Sequence, residues 1–381
     1  VSAGAKVRAM LPPVDALPAP EVGDPAGARV IVDLDAIARN YVRMDGYRRS
    51  GRFGVVLKED AYGLGLAPVA RRLRREGCGI FWVADFAEGV RLRSVLPDVE
   101  IYVLTGLTGH SATEHAAHRL VPVLASLDEV EATATCGARV RVGVMIDGGL
   151  VRLGLTDGEA ASLAGRADIW SQLDVACWVT QLAWFERPDD RRNLDQLDRL
   201  RALTAPLPAA PVSIACSAAL FMDPVLHGDL LRVGSALYGV QGTPGYPQPV
   251  EQVIEAVAPV IRVVDVPAGT PVGYGGGFVA PRPARIATIG IGYATGLPVA
   301  MAGRGAVAFD GRRAPLVGRL SMNLATVDVT DLPREAVRPG VFAEITGRTI
   351  ALAELAASAS TVSNEVLVRL GRTLPRIYRG G

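Results

Sequence analysis

Lysine is almost missing from this chain. Of the 40 basic residues among 381, only Lys6 and Lys58 are lysine, and the rest are arginine. A coding preference for arginine accounts for the general trend and makes the exceptions informative. Lys6 lies in a Pro- and Ala-rich N-terminal stretch, so Lys58 is the only lysine of the folded body. A site needing only positive charge could use arginine, which stays protonated and cannot act as an amine nucleophile. Lys58 therefore points to amine chemistry. Other absences exclude whole classes. The four cysteines are widely spaced and form no CxxC pair, so neither a zinc site nor a disulfide framework is indicated. No apolar run reaches the roughly 18 to 20 residues of a membrane helix. The net charge is +1 and the basic residues are scattered, which leaves no footprint for nucleic acid. Residues 1–27 lack a sustained apolar core and read as a loose extension rather than a signal peptide. The expectation is a cytoplasmic protein with no metal, no membrane and no nucleic-acid partner.

What is present is a large core, with 49% hydrophobic and 21% charged residues over a length that suggests two domains. From Ala28 the pattern is regular. RVIVDLDAI reads as a strand running into a helix, FGVVLK as a strand, and LAPVARRLRREG as a helix ending in glycine. FWVADFAEGVRLRSVL, EIYVLTG, LVPVLAS, RVRVGVMID, LDVACWVT and PVSIACS continue the alternation. Strand and helix repeating about eight times predict a (β/α)8 TIM-like barrel over residues 28–245. Lys58, Arg152, Gln181 and Ser217 fall at or after predicted strand ends, where such barrels gather their chemistry. TPGYPQP, residues 243 to 249, reads as a linker. Residues 246–381 carry short strands with many Gly and Pro, and a DGR hairpin turn, and predict an all-β domain with helix near its end. His110, His115 and His118 in HSATEHAAH invite a metal reading, but a polar helix surface fits that stretch better.

VLKEDAYGLGL resembles the cofactor motif of alanine racemases, in which a strand end carries the lysine that binds pyridoxal 5'-phosphate (PLP). MIDGGLVRLG, IACSAA, LLRVGSALYG, PVGYGGG, IGIGYATG and LVGRLSMNLATVDV match in order, so the resemblance covers about Ala28 to Tyr378. It implies a PLP-binding barrel followed by a β domain, in a homodimer whose active site is shared between subunits and acts on an amino acid. Lys58 would bond to PLP and act as the base on one face of the substrate Cα. Tyr274, from the partner subunit, would serve the other face; a phenol has a pKa of about 10 and needs nearby positive charge to work as a base. Tyr62, Ser217, Tyr293 and the backbone N–H groups of Gly234 and Ser235 would bind the phosphate, with Gly63 and Gly65 permitting the tight turn after Lys58. Arg232 would face the pyridine nitrogen, Arg152 the phenolic oxygen and the substrate carboxylate, and Met322 would offer that carboxylate its backbone N–H.

Several positions depart from the family pattern. Met145 stands where a lysine, often carbamylated, holds the Arg152 equivalent, and Gln181 where a histidine faces the cofactor. Asn323 and Thr295 replace aspartates, and Leu64 replaces a histidine. The reading is an amino-acid racemase whose substrate is not specified and whose preference is open to change. Two alternatives stay open at this point: another PLP reaction at Cα, such as aldol-type transfer or decarboxylation, and a non-catalytic PLP-binding protein.

Overall fold

Eight short apolar segments, each nearly buried along its whole length, form the parallel strands of a barrel, as burial on both faces requires. The computed structural model describes residues 27–241 and 249–381. The N-terminal extension up to residue 26 and nearly all of the expected linker lie outside the described residues. Strand β1 is Arg29–Asp33, and the barrel strands are β2 (Arg52–Val56), β3 (Ile80–Val83), β4 (Glu100–Val103), β5 (Val121–Leu124), β6 (Val140–Met145), β7 (Leu173–Val179), β8 (Val212–Ser213) and β9 (Leu230–Val233). From β2 to β8 each strand pairs with the next in parallel, and β9 returns to pair with β2. The Arg232 N–H donates to the Ala215 carbonyl at 3.0 Å and closes the ring between β8 and β9. Helices on the outside are capped by side chains the sequence supplies: Asp33 accepts from the Ala36 N–H at 2.8 Å, and Ser111 and Thr156 each form a capping box. The barrel interior is filled by Val56, Trp82, Tyr102, Val123, Met145 and Cys177, with Trp82 and Tyr102 stacked at 4.2 Å.

Strand β1 departs from the sequence reading, which placed it in the barrel. It pairs antiparallel with β10 (Ile254–Val266) and parallel with β18 (Arg376–Arg379), inside the sheet of the second domain. That sheet also holds β13 (Ala284–Ile289), β14 (Ala306–Phe309), β15 (Arg312–Val317), β16 (Ala325–Asp328) and β17 (Phe342–Thr346), while β11 (Pro271–Val272) and β12 (Phe278–Val279) form a separate ribbon. The long β10 pairs with both β17 and β13 across a bulge near Arg262, which curls six strands into a closed ring. Strands β14 and β15 make the hairpin expected from DGR, pairing Phe309 with Arg312. Helices Leu352–Ser358 and Ser363–Thr373 pack beside it, and one apolar core runs through both domains.

The histidine stretch is helical over Ala112–Ala117, but His115 is fully buried rather than on a polar surface. Among the described residues no cluster could hold a metal ion, and no helix is long and apolar enough to cross a membrane.

Candidate active site

At the C-terminal end of β2 the chain does something its sequence does not announce. Glu59, Asp60, Ala61 and Tyr62 all have φ between 55° and 58°, so a turn of left-handed helix follows Lys58. Each non-glycine residue so placed costs about 1–2 kcal/mol. Surrounding contacts hold the turn in place. Asp60 Oδ1 accepts from the Leu66 N–H and from Arg91, both at 2.9 Å, and Oδ2 accepts from Arg376 at 2.6 Å. Arg376 also donates to the Gly63 carbonyl at 2.8 Å, and the Asp60 N–H donates to Glu88 at 2.7 Å. The second domain thus clamps the barrel turn that aims Lys58. Gly63 ends the turn at φ 84°, where a Cβ would also lie 2.9 Å from the Val368 carbonyl oxygen.

Lys58 opens into a cavity of about 870 Å³ at the barrel mouth. Loss of water lowers its pKa from 10.5; Arg152 adds to the shift, as does Arg232 less strongly, while Glu59 opposes it. The cavity brings together eight of the barrel residues singled out above: Lys58, Tyr62, Arg152, Gln181, Ser217, Arg232, Gly234 and Ser235. Ser217 Oγ accepts from the Gly234 and Ala236 N–H groups at 3.0 and 3.3 Å. The Tyr62 hydroxyl stands so close to Gly234 that a Cβ there would collide with it. Two hydroxyls therefore converge on a bare stretch of backbone, which suits a phosphate group. With the amine of Lys58 across the same cavity, the donor set fits PLP.

Arg232 is buried, and burial brings its pKa down to about 10. It donates to the Ser213 carbonyl at 2.8 Å, to Ser213 Oγ at 2.6 Å, to the Thr180 carbonyl at 2.7 Å and to Gln181 Oε1 at 3.1 Å. Its guanidinium also lies 5.6 Å from the centre of the Trp82 ring, within cation–π range. Met145 is nearly buried in the barrel interior beside Arg152, and Arg152 is exposed with no ion pair among the described residues. Thr295 keeps a local role, its Oγ1 accepting from the Gly292 N–H at 2.9 Å, and Leu64 is core.

The three second-domain residues lie elsewhere. Tyr274, Tyr293 and Met322 do not line the cavity, and they are 68%, 39% and 59% exposed. Tyr293 and Met322 belong to one local unit: the Tyr293 N–H donates to the Ser321 carbonyl at 3.0 Å and the Ala294 N–H to that of Met322 at 2.8 Å. In their place the cavity wall contains Thr361, Ser363 and Asn364 at the start of helix Ser363–Thr373. Sequence reasoning missed these, taking the stretch only as helix. Asn364 Oδ1 lies buried in the cavity wall with no hydrogen-bond partner among the described residues. The polar run TVSN at a helix start was the available signal.

Comparison with known proteins agrees with this geometry. Family models for the alanine racemase N-terminal and C-terminal domains match residues 32–242 and 253–378. An alanine racemase of Methylobacterium sp. (strain 4-46) is 37% identical over 93% of this chain and 98% of its own length. A catabolic alanine racemase of Rhizobium johnstonii is 39% identical over 92% and 94%. Among solved structures, alanine racemase from Bartonella henselae, described with covalently bound pyridoxal phosphate, superposes with a TM-score of 0.89 at 32% identity, over 93% of this chain and all of its own. That of the D-cycloserine producer Streptomyces lavendulae gives 0.87 at 26% identity, over 94% and 98%. With both domains matched in order and nearly end to end, this chain belongs to the alanine racemase family.

Proposed function

We propose that this protein is a PLP-dependent amino-acid racemase working with two bases, Lys58 and the partner's Tyr274, in a homodimer. The observation that carries the reading is the gathering of eight separate barrel residues around one cavity, with a lysine of lowered pKa at a strand end. Tyr62, Ser217, Gly234 and Ser235 would hold the phosphate, Lys58 the reactive carbon, and Arg232 the ring nitrogen. Bound there, the cofactor would supply a sink for the electron pair left at Cα when its proton departs. Arg152 would orient the substrate carboxylate, helped by the backbone of Met322 from the second copy. Lys58 would take or return the Cα proton on one face, and Tyr274 on the other.

The homodimer is supported by what a single chain leaves undone. Tyr274 and Met322 stand exposed on the second domain, and Val151, Leu153 and Val362 are exposed near the cavity mouth. A second copy that lays Tyr274 over the cavity of the first would cover both surfaces. The curated relatives are named alanine racemases, so alanine is the expected substrate. Aldol-type transfer, decarboxylation and a carrier role are not favoured: the curated relatives are named alanine racemases, and a carrier has no use for a second proton-transfer group.

Two measurements test the reading. Borohydride reduction of the PLP-loaded protein should fix the cofactor on Lys58; a label on another residue overturns the assignment. In deuterated water both enantiomers of alanine should exchange the Cα hydrogen and lose optical rotation. Exchange without inversion would instead indicate a different reaction at Cα.

A further inference from the structure

Lys58 stands where two barrel strands part. The Leu57 N–H donates to the Trp82 carbonyl at 2.7 Å, and beyond it one chain enters the left-handed turn while the other runs into helix Phe86–Val95. Within the turn the Ala61 and Gly63 N–H groups donate to the Leu57 and Glu59 carbonyls, both at 2.8 Å. The Asp60 N–H leaves the turn instead and donates to Glu88 Oε1 at 2.7 Å, while Glu88 Oε2 accepts from the Ala84 N–H at 2.9 Å. Glu88 is only 9% exposed and has no ion pair among the described residues. A buried carboxylate without a cation is held by its hydrogen bonds alone, and here both oxygens are engaged by backbone. One of those N–H groups lies two residues past Lys58, and the other belongs to Ala84 in the cavity wall.

The same device recurs two strands further on. Glu129, in helix Leu127–Ala134, accepts from the Ala125 N–H through Oε2 at 2.7 Å and from the Leu107 N–H through Oε1 at 2.9 Å. Each glutamate also donates its own N–H to the residue capping its helix, Glu88 to Asp85 at 2.9 Å and Glu129 to Ser126 at 3.3 Å. Neither Leu107 nor Ala125 lines the cavity. Bridging two neighbouring strand ends is thus a way of fastening the barrel rim, and at Glu88 the fastened chain carries Lys58. We propose that Glu88 is a positioning residue for Lys58: by bridging the Asp60 and Ala84 N–H groups it holds the strained turn in place and aims the amine into the cavity. The bridge needs two oxygens at the right reach, and a negative charge near Lys58 does not replace it. The proposal rests on the racemase reading above only for its activity readout.

The test compares the full-length wild type with three variants. Glu88→Gln keeps the reach but loses one acceptor and the charge. Glu88→Asp keeps the charge but draws the carboxylate back by one methylene. Glu129→Gln breaks the matching bridge away from Lys58. Four readouts are taken: hydrogen exchange of residues 57–65 in the apo-protein, by mass spectrometry; the rate of covalent attachment of PLP to Lys58, by stopped-flow absorbance; kcat and KM for Cα exchange of alanine; and melting temperature. Both Glu88 variants should speed exchange of the segment and slow attachment, each by about tenfold. Their kcat per bound cofactor should fall by about as much, with KM within about threefold. Glu129→Gln should lower the melting temperature about as far as Glu88→Gln, yet leave attachment within about twofold of wild type. Wild-type attachment in Glu88→Gln overturns the proposal. Wild-type attachment in Glu88→Asp overturns it too, since the charge and not the bridge would then be acting. So does a Glu129→Gln protein that slows attachment as much as Glu88→Gln, because the effect would then follow general loss of stability. Should Glu88→Gln not fold, Glu88→Asp is judged by the same readouts. Exchange and attachment are read without turnover. Both effects in a protein that exchanges no amino acid would overturn the racemase reading and leave the role of Glu88 supported.

Discussion

Lys58 is the residue on which the proposed chemistry turns, and the structure gives it a lowered pKa through loss of water and two nearby guanidinium groups. The neutral amine is the form that attacks a carbonyl, so a lowered pKa puts more of it in the reactive state at a given pH. Attachment of PLP to the apo-protein should accelerate as pH rises and reach half its maximum below the 10.5 of an ordinary lysine, as stopped-flow absorbance would report. Lys58→Arg keeps the charge and should abolish the covalent cofactor, which mass spectrometry after reduction would confirm. Gly234 offers a second test. A Cβ there meets the Tyr62 hydroxyl, so Gly234→Ala should weaken PLP binding by about tenfold, the scale of one lost charge-assisted contact. Adding Tyr62→Phe should relieve the collision without restoring that affinity, as equilibrium titration would measure.

At the scale of elements, the left-handed turn after β2 carries the largest local strain in the site. Asp60 anchors it through Leu66, Arg91 and Arg376. Asp60→Ala should destabilise the protein by about 2–3 kcal/mol, because Arg376, itself mostly buried, loses its carboxylate. Denaturant unfolding would measure this, and reduced incorporation of PLP on Lys58 should accompany it. In the run Glu59-Asp60-Ala61-Tyr62 only Asp60 is of a type that visits positive φ, and then as a single residue, which is why a four-residue turn was not legible in the sequence. The barrel strands were legible, because continuous apolar runs separated by helical spacing leave few alternatives. The partner of β1 was not: its alternating pattern states that one face is buried, but not against which sheet.

At the scale of the molecule, the proposed site joins the barrel cavity of one chain to the exposed Tyr274 of a second. Lys58→Ala and Tyr274→Phe should each be nearly inactive in racemisation. Tyr274→Phe should still exchange the Cα hydrogen of the enantiomer facing Lys58. Mixing and reassociating equal amounts should pair a sound Lys58 with a sound Tyr274 at one site of each mixed dimer, restoring about a quarter of wild-type activity if pairing is random. Sedimentation should give a dimer, and a monomer with full activity would contradict the shared site.

The sequence by itself determined the chemistry that one residue could perform. Scarcity of lysine isolated Lys58, and the matching blocks pointed to a proposed phosphate site, arginine and second base in order along the chain. Only tertiary structure decided how those groups are tuned. The oxygens around Arg232 come from Thr180, Gln181 and Ser213, some 19 to 52 residues away in sequence. Their convergence depends on how β7, β8 and β9 close the barrel, a register that no local stretch encodes. The second domain carries Tyr274 on an outer surface and puts Asn364 in the cavity wall. Which side chains share a cavity is fixed by contacts between distant strands and helices, and residue type alone does not specify them.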